Sequence, residues 1–284
     1  MKIYMNKSAV GFLNKAVTTV VAAILVFPLF AMLLGSFRPD MGDVIGLFLN
    51  EKFTLWNFEV LAGEPLLKWG YSSMFVGCLG TILAVLCNAA AGYAFAFHRI
   101  HGKKIIFGVF LFGMMIPSQV TLVPVYLMIR RFGLYGNRLS LVIPFIASAF
   151  MIFFYRQALK DFPVEVLHYA ETEGAGELRK FFQILLPMTK PTLVTMAVLV
   201  FMGHWNNYLW QVVLCQKRIK TLLVGITEFI IYLSAHSGPR LELRAFANMS
   251  TMSAGAVIVF IPMVFVFVFL QKYFVKSLYQ GGVT

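Results

Sequence analysis

Few side chains in this sequence are spaced for chemistry. His98 and His101 stand three apart, as two metal-binding imidazoles can. They flank Arg99 and run into Lys103 and Lys104, so a solvated basic loop fits them better than a metal site. His204 lies in an apolar run with no carboxylate near it in sequence, which suits a hydrogen-bonded structural histidine or a pore-lining one. Ser72, Ser73 and Ser250 have no nucleophile motif around them. Cys78, Cys87 and Cys215 lack metal-ligand spacing and read as small buried hydrophobes. No G-x-x-x-x-G-K-[ST] loop occurs, so this chain is not expected to hydrolyse ATP by that route. Solute moved uphill would draw on a separate subunit. No catalytic residue and no metal ligand is expected, and an integral-membrane enzyme is disfavoured.

Two other groups have functional chemistry. Asn88, Gln119, Trp205, Asn206, Asn207 and Tyr208 are neutral polar or amphipathic side chains within or beside apolar runs. Sugars are held by aromatic faces and by hydrogen bonds to hydroxyls, which these residue types supply. Each could equally bond a neighbouring helix. The second group is the polar segment from Arg156 to Pro191, dense in Glu, Lys, Pro and Gly.

The elements that must position them follow from composition. Of 284 residues, 60% are hydrophobic and 13% charged, and mean hydropathy is +0.80. A soluble domain carries about twice that charge, so the fold class is an all-α polytopic membrane bundle. Six spans are expected: Ala16–Phe37, Tyr71–Phe97, Ile105–Ile129, Leu139–Tyr155, Thr192–Leu214 and Met252–Leu270. Pro28, Pro117, Pro124, Pro144 and Pro262 inside them are expected as tolerated kinks. Thr221–Ser234 is too short to cross and contains Glu228, so it reads as an amphipathic helix at the interface. No repeat, linker or cleavable signal is legible, and residues 1–284 read as a single domain. A net charge of +12 here implies lipid headgroups and acidic protein surfaces as partners, not nucleic acid. Basic residues divide almost evenly between the two sides. Lys2, Lys7, Lys15 and the basic loop His98–Lys104 favour a cytoplasmic N-terminus. No Asp, Glu, Lys or Arg lies near the middle of a span, which argues against a self-sufficient secondary carrier.

The polar segment is punctuated as two short helices. Asp161 precedes Pro163 as a helix start would, and Gly174 follows as a C-cap glycine. A second helix is expected from Glu177 to Leu186, ending before Pro187. Val164, Leu167 and Glu171 share one face of the first helix, and its apolar members are expected to be exposed for a partner. Such a helix can serve as a lever docked in another protein. A plain connector explains the polarity equally well.

Pro163, Glu165, Ala170, Gly174 and Ala175, followed by Phe182, Ile184, Leu186, Pro187 and Pro191, resemble the signature loop of binding-protein-dependent ABC importer permeases. Leu122–Tyr126, Arg131–Leu134, Trp205–Trp210, Gln271–Val275 and Gly281–Val283 extend the likeness to the second, maltose-G-like permease of the carbohydrate class. The family usually has Glu-Ala-Ala where this chain has His168-Tyr169-Ala170, and Asp at Glu173.

The resemblance implies a type I importer fold in the bacterial cytoplasmic (inner) membrane. It implies a second homologous permease, homodimeric ATPase subunits and an extracytoplasmic solute-binding protein, with an oligosaccharide or related sugar or polyol as substrate. ATP and Mg would be bound by the ATPase subunits, leaving no cofactor in this chain. The loop at about 156–190 would be the coupling segment, with Glu165, His168, Ala170, Glu171, Glu173, Gly174 and Ala175 as its contact residues. Ser277–Thr284 would reach toward the ATPases and Gln216–Ser250 would face the binding protein. The rival reading is a secondary carrier or channel for a small polar solute, neither of which needs such a docking loop.

Overall fold

The computed structural model describes residues 7–39, 48, 52–214, 219–236 and 249–280. Among them the regular structure is entirely helical. In chain order the helices are α1 (Lys7–Ser36), α2 (Trp56–Ala62), α3 (Leu66–Phe97), α4 (Lys103–Gly113) and α5 (Leu122–Arg131). Then come α6 (Ala149–Ala158), α7 (Val164–Thr172), α8 (Glu177–Met188) and α9 (Lys190–Trp205). The last are α10 (Tyr208–Leu214), α11 (Leu222–His236) and α12 (Met249–Gln280). Cys215, the whole Gly281–Val283 motif and much of Gln216–Ser250 lie outside the described residues.

Three of the six expected spans are unbroken: Asn14–Ser36 in α1, α3, and Met249–Gln271 in α12. Pro28 and Pro262 are carried inside them. Pro117 and Pro144 stand at breaks, because each lacks the N–H that would close the preceding turn, while Pro124 lies in the first turn of α5. Pro117 lies where the third span divides into α4 and α5. There Val120 N–H bonds Pro117 C=O, and the Thr121 hydroxyl donates to Ser118 C=O at 2.8 Å. Pro144 sits in the 3-10 turn Ile143–Phe145, and the segment Arg138–Phe145 meets the helix that follows at 51°. The fifth span runs as α9, stops at Asn206–Asn207 and resumes as α10.

Internal contacts divide the chain into two compact units, residues 1–66 with 226–261 and residues 67–225 with 262–284. In the first, fully buried Asn57 donates to the carbonyls of Ser36 (3.0 Å) and Arg38 (2.7 Å) and accepts from Thr251 at 3.1 Å. It thereby satisfies the last carbonyl of α1 and one in the turn that follows it. Gly255 of α12 admits Ile226, whose Cγ2 a Cβ there would meet at 2.6 Å.

In the second unit, a stripe of small or buried residues on α3 receives the fifth span. A Cβ at Gly77 would lie 2.7 Å from Phe201, and one at Gly80 2.5 Å from the His204 ring. The two helices can approach this closely only because both positions are glycine. Cys78 and Cys87 are exposed, not buried. The expected interfacial helix is α11, and it packs into the protein. Leu222 and Val224 are buried, Gly225 lies against Trp69, and Ile226 and Ile230 are buried in the other unit. Its apolar residues surround the axis, which a helix lying on a surface cannot satisfy.

Candidate functional site

The polar segment folds as two helices joined at a glycine. Asp161 ends a 3-10 turn and does not cap α7; Pro163 takes the N-cap position. The C-terminus of α7 closes as a complete Schellman motif. Gly174 has φ +79°, its N–H bonds Glu171 C=O at 3.0 Å, and Ala175 N–H reaches back to Ala170 C=O at 2.9 Å. Ala175 is buried beneath the turn. Three of the expected residues, Ala170, Gly174 and Ala175, thus build the joint itself.

Leu167 is only 5% exposed, contrary to the expectation that it faces a partner. It belongs to a buried cluster with Tyr93, Met151, Tyr155, Phe181, Leu185 and Met196. The reason is local: α7 lies against α8 and the spans, so its apolar face serves the protein's own core. The outward face carries Glu165, His168, Tyr169, Thr172 and Glu173. Helix α8 contains a π-helical stretch, Lys180–Leu185, and extends to Met188. Pro187 occupies the start of its final α-helical turn, where a missing N–H is tolerated. At Thr189 the chain turns by 83° into α9. The Thr189 hydroxyl donates to Leu185 C=O at 2.8 Å, so Tyr155 donates to Thr189 at 2.7 Å.

A polar cluster that the sequence does not reveal lies under α8. Lys180, with a side chain 7% exposed, reaches Glu177 Oε1 at 2.5 Å and Glu171 Oε2 at 3.4 Å. Tyr93 donates to Glu177 Oε2 at 2.9 Å, and His98 Nε2 stands 3.1 Å from the same oxygen. Glu171 is therefore engaged by Lys180. His98 is not simply a solvated loop residue, whereas His101 is exposed. Among the described residues no cluster of His, Cys, Asp and Glu could hold a metal. Hydrogen bonding from Lys180 holds the Glu177 carboxyl below the usual carboxylate range, and Glu177 pushes Lys180 up. The Glu177 contribution is full above the ordinary carboxylate pKa and fades as pH falls through the lowered value. The Lys180 contribution is full below the ordinary ammonium pKa and fades as pH rises through the raised one. The Lys180–Glu177 pair is thus intact across neutral pH.

The broken fourth and fifth spans line an open cavity of about 320 Å³ bordered by Pro144, Phe145, Ser148, Met151, His204 and Asn207, among others. Its walls are apolar with a few polar groups, the usual make-up of a small-molecule site. Of the expected path residues, Asn207 lines it. Asn88 is fully buried and engaged by backbone: its amide donates to Ile146 C=O (2.9 Å) and Ala84 C=O (2.6 Å) and accepts from Ser148 N–H (2.8 Å). Trp205 is buried and stacks on Phe201, with centroids 5.6 Å apart. Asn206 is exposed at the helix break, Tyr208 is 37% exposed, and Gln119 is exposed in the turn between α4 and α5. The break at Asn206 frees the His204 carbonyl, which accepts from Gln211 at 2.7 Å; Gln211 in turn accepts from Thr221 at 2.6 Å. Ser148 and Gln211 had no motif to mark them.

Residues 80–279 match the family model described as binding-protein-dependent transport system inner membrane component. The arabinooligosaccharides transport system permease protein AraQ of Bacillus subtilis (strain 168) is 31% identical over 264 residues, covering 90% of each chain. The lactose transport system permease protein LacG of Rhizobium radiobacter is 28% identical, covering 93% of each. A chain from the crystal structure of a bacterial ABC transporter involved in the import of the acidic polysaccharide alginate superposes with TM-score 0.78 at 21% identity. The alignment covers 96% of the present chain and all of that one, and establishes the shared fold. A bundle of apolar spans joined by this helix–glycine–helix loop therefore belongs to the family of inner membrane components of binding-protein-dependent transport systems.

Proposed function

We propose that this chain is the permease subunit of an ATP-driven importer for an oligosaccharide or related sugar or polyol. Permeases of such importers work with a second permease, ATPase subunits and a solute-binding protein. Here the partners are taken to be a homologous permease, a homodimeric ATPase that binds ATP and Mg, and an extracytoplasmic binding protein. The observation that carries the reading is α7, a short helix fixed to the bundle by Leu167 while its outward face bears Glu165, His168 and Tyr169. Such a face, with carboxylates, an imidazole and a phenol exposed together, suits an ATPase surface. The named sugar relatives support the substrate class, and the cavity at Ser148, His204 and Asn207 supports a path in this chain.

The test is uptake by the complete transporter in proteoliposomes, with the cognate sugar identified by mass spectrometry of co-purified ligand. Asn207→Leu removes an amide from the cavity and is expected to lower uptake about tenfold, as losing a hydrogen-bonding group does in a polar-specific site. Capture of the ATPase subunits should not change. Full uptake by this variant would place the substrate path elsewhere.

A further inference from the structure

We infer that Glu177 is a positioning residue that fastens the coupling segment to the second span, so that movement of α7 reaches the bundle. The inference rests on the coupling role proposed above for α7. One carboxylate gathers three elements. Tyr93 Oη, near the C-terminus of α3, donates to Oε2 at 2.9 Å; His98 Nε2, from the turn after α3, stands 3.1 Å from that oxygen; Lys180 Nζ, on α8, meets Oε1 at 2.5 Å. Lys180 then extends the chain to Glu171 on α7 at 3.4 Å.

A continuous polar path thus runs from α7 through α8 to α3. Its members hold one another in place. The Lys180 ammonium is almost removed from water and depends on its two carboxylates. His98 Nδ1 is buried without a hydrogen-bond partner, so Nε2 and the edge-on contact with Tyr93, at 5.0 Å, orient the ring. The end of α3 is anchored in turn by Lys103, which donates to the carbonyls of Ala96 (3.2 Å) and His98 (3.1 Å). Apolar contacts such as Leu167 with Phe181 resist separation of the helices but allow sliding. Directional bonds to one carboxylate fix their register. The far part of α3 carries Gly77, Gly80 and Asn88, which seat the fifth span and the break in the fourth. A shift of α7 transmitted to α3 therefore reaches the cavity wall.

The test uses the complete transporter in proteoliposomes and reads sugar transported per ATP hydrolysed, alongside thermal melting of the complex. Glu177→Gln and Tyr93→Phe should each lower that ratio roughly three- to tenfold, the range for coupling residues that touch neither ligand. Basal ATP turnover should stay near the parent's, and so should melting for Tyr93→Phe, whereas Glu177→Gln, which leaves the buried Lys180 with Glu171 alone, should melt lower. In transport per ATP the double variant should be no worse than the more severe single one. Unchanged ratios, or a double variant that falls by the product of the single effects, would overturn the joint. Should Glu177→Gln fail to assemble, Tyr93→Phe decides alone, since it removes one hydroxyl and keeps the ring. A cysteine replacing His168 provides the control for the underlying reading. If it cross-links to an ATPase subunit while the ratios stay unchanged, only the joint is wrong. If it does not cross-link, the coupling role of α7 falls and the inference falls with it.

Discussion

Replacing Asn88 by leucine is expected to destabilise the assembled complex by roughly 1–3 kcal/mol for each backbone group it orphans. Two groups are at stake, the Ile146 carbonyl and the Ser148 N–H, both freed where the fourth span breaks. Neither has an intrahelical partner there, and in a membrane bundle an unmatched backbone group is costly. Leucine is close to asparagine in size, so the loss reports hydrogen bonding and not a cavity. Thermal melting of the purified complex measures the effect. Uptake kinetics separate this from a role in holding sugar: a raised KM for transport with unchanged melting would show that Asn88 belongs to the substrate path.

At Gly174 the expected failure is of mechanism, with insertion preserved. A Cβ there would meet nothing within 4 Å, so space for it is not the obstacle. The obstacle is φ +79°, where a β-branched residue is held at a cost of about 1–3 kcal/mol. The chain can relieve that strain only by leaving the left-handed region, which breaks the bond from Ala175 to Ala170 and changes the angle between α7 and α8. Leu167 would then be pulled from Phe181 and Leu185. Under the coupling reading, ATPase capture falls and uptake is largely lost, while the spans remain inserted by their own hydrophobicity. Gly174→Asn should be much milder, because asparagine tolerates this conformation. His168→Glu alters only an exposed side chain on the outward face and should be mild as well. Normal capture and uptake for Gly174→Val would leave the segment a connector and remove the lever.

The loop's backbone was legible in the sequence because its signals are local. Gly174 at the end of an apolar-faced helix has one common use, and the structure puts it there. The direction of that helix's apolar face was not legible, since periodicity says that Leu167 and Val164 lie together but not what they meet. Span breaks show the same division. Long apolar runs mark α1, α3 and α12 well, yet whether a proline bends a helix or ends it depends on what takes up the freed carbonyls. At Pro144 part of the answer is Asn88, about sixty residues away in sequence, and at Asn206 it is Gln211. The Glu177 cluster is the extreme case. Tyr93 reads as apolar filling, His98 as part of a basic loop, and Lys180 as a surface cation; only the packing of α8 on α3 makes them one group.

The 83° turn at Thr189 decides what kind of motion can leave the short helix α8. A push along its axis is almost perpendicular to α9, so little of it can slide that span lengthwise through the bilayer. It acts as a crank acts on a shaft and not as a piston. A span swinging about its seat at Gly77 and Gly80, where Phe201 and His204 are held, sweeps sideways at its opposite end, beside Thr189. A sweep of this kind would leave the depth of every lipid-facing side chain nearly unchanged and drag little apolar surface into water.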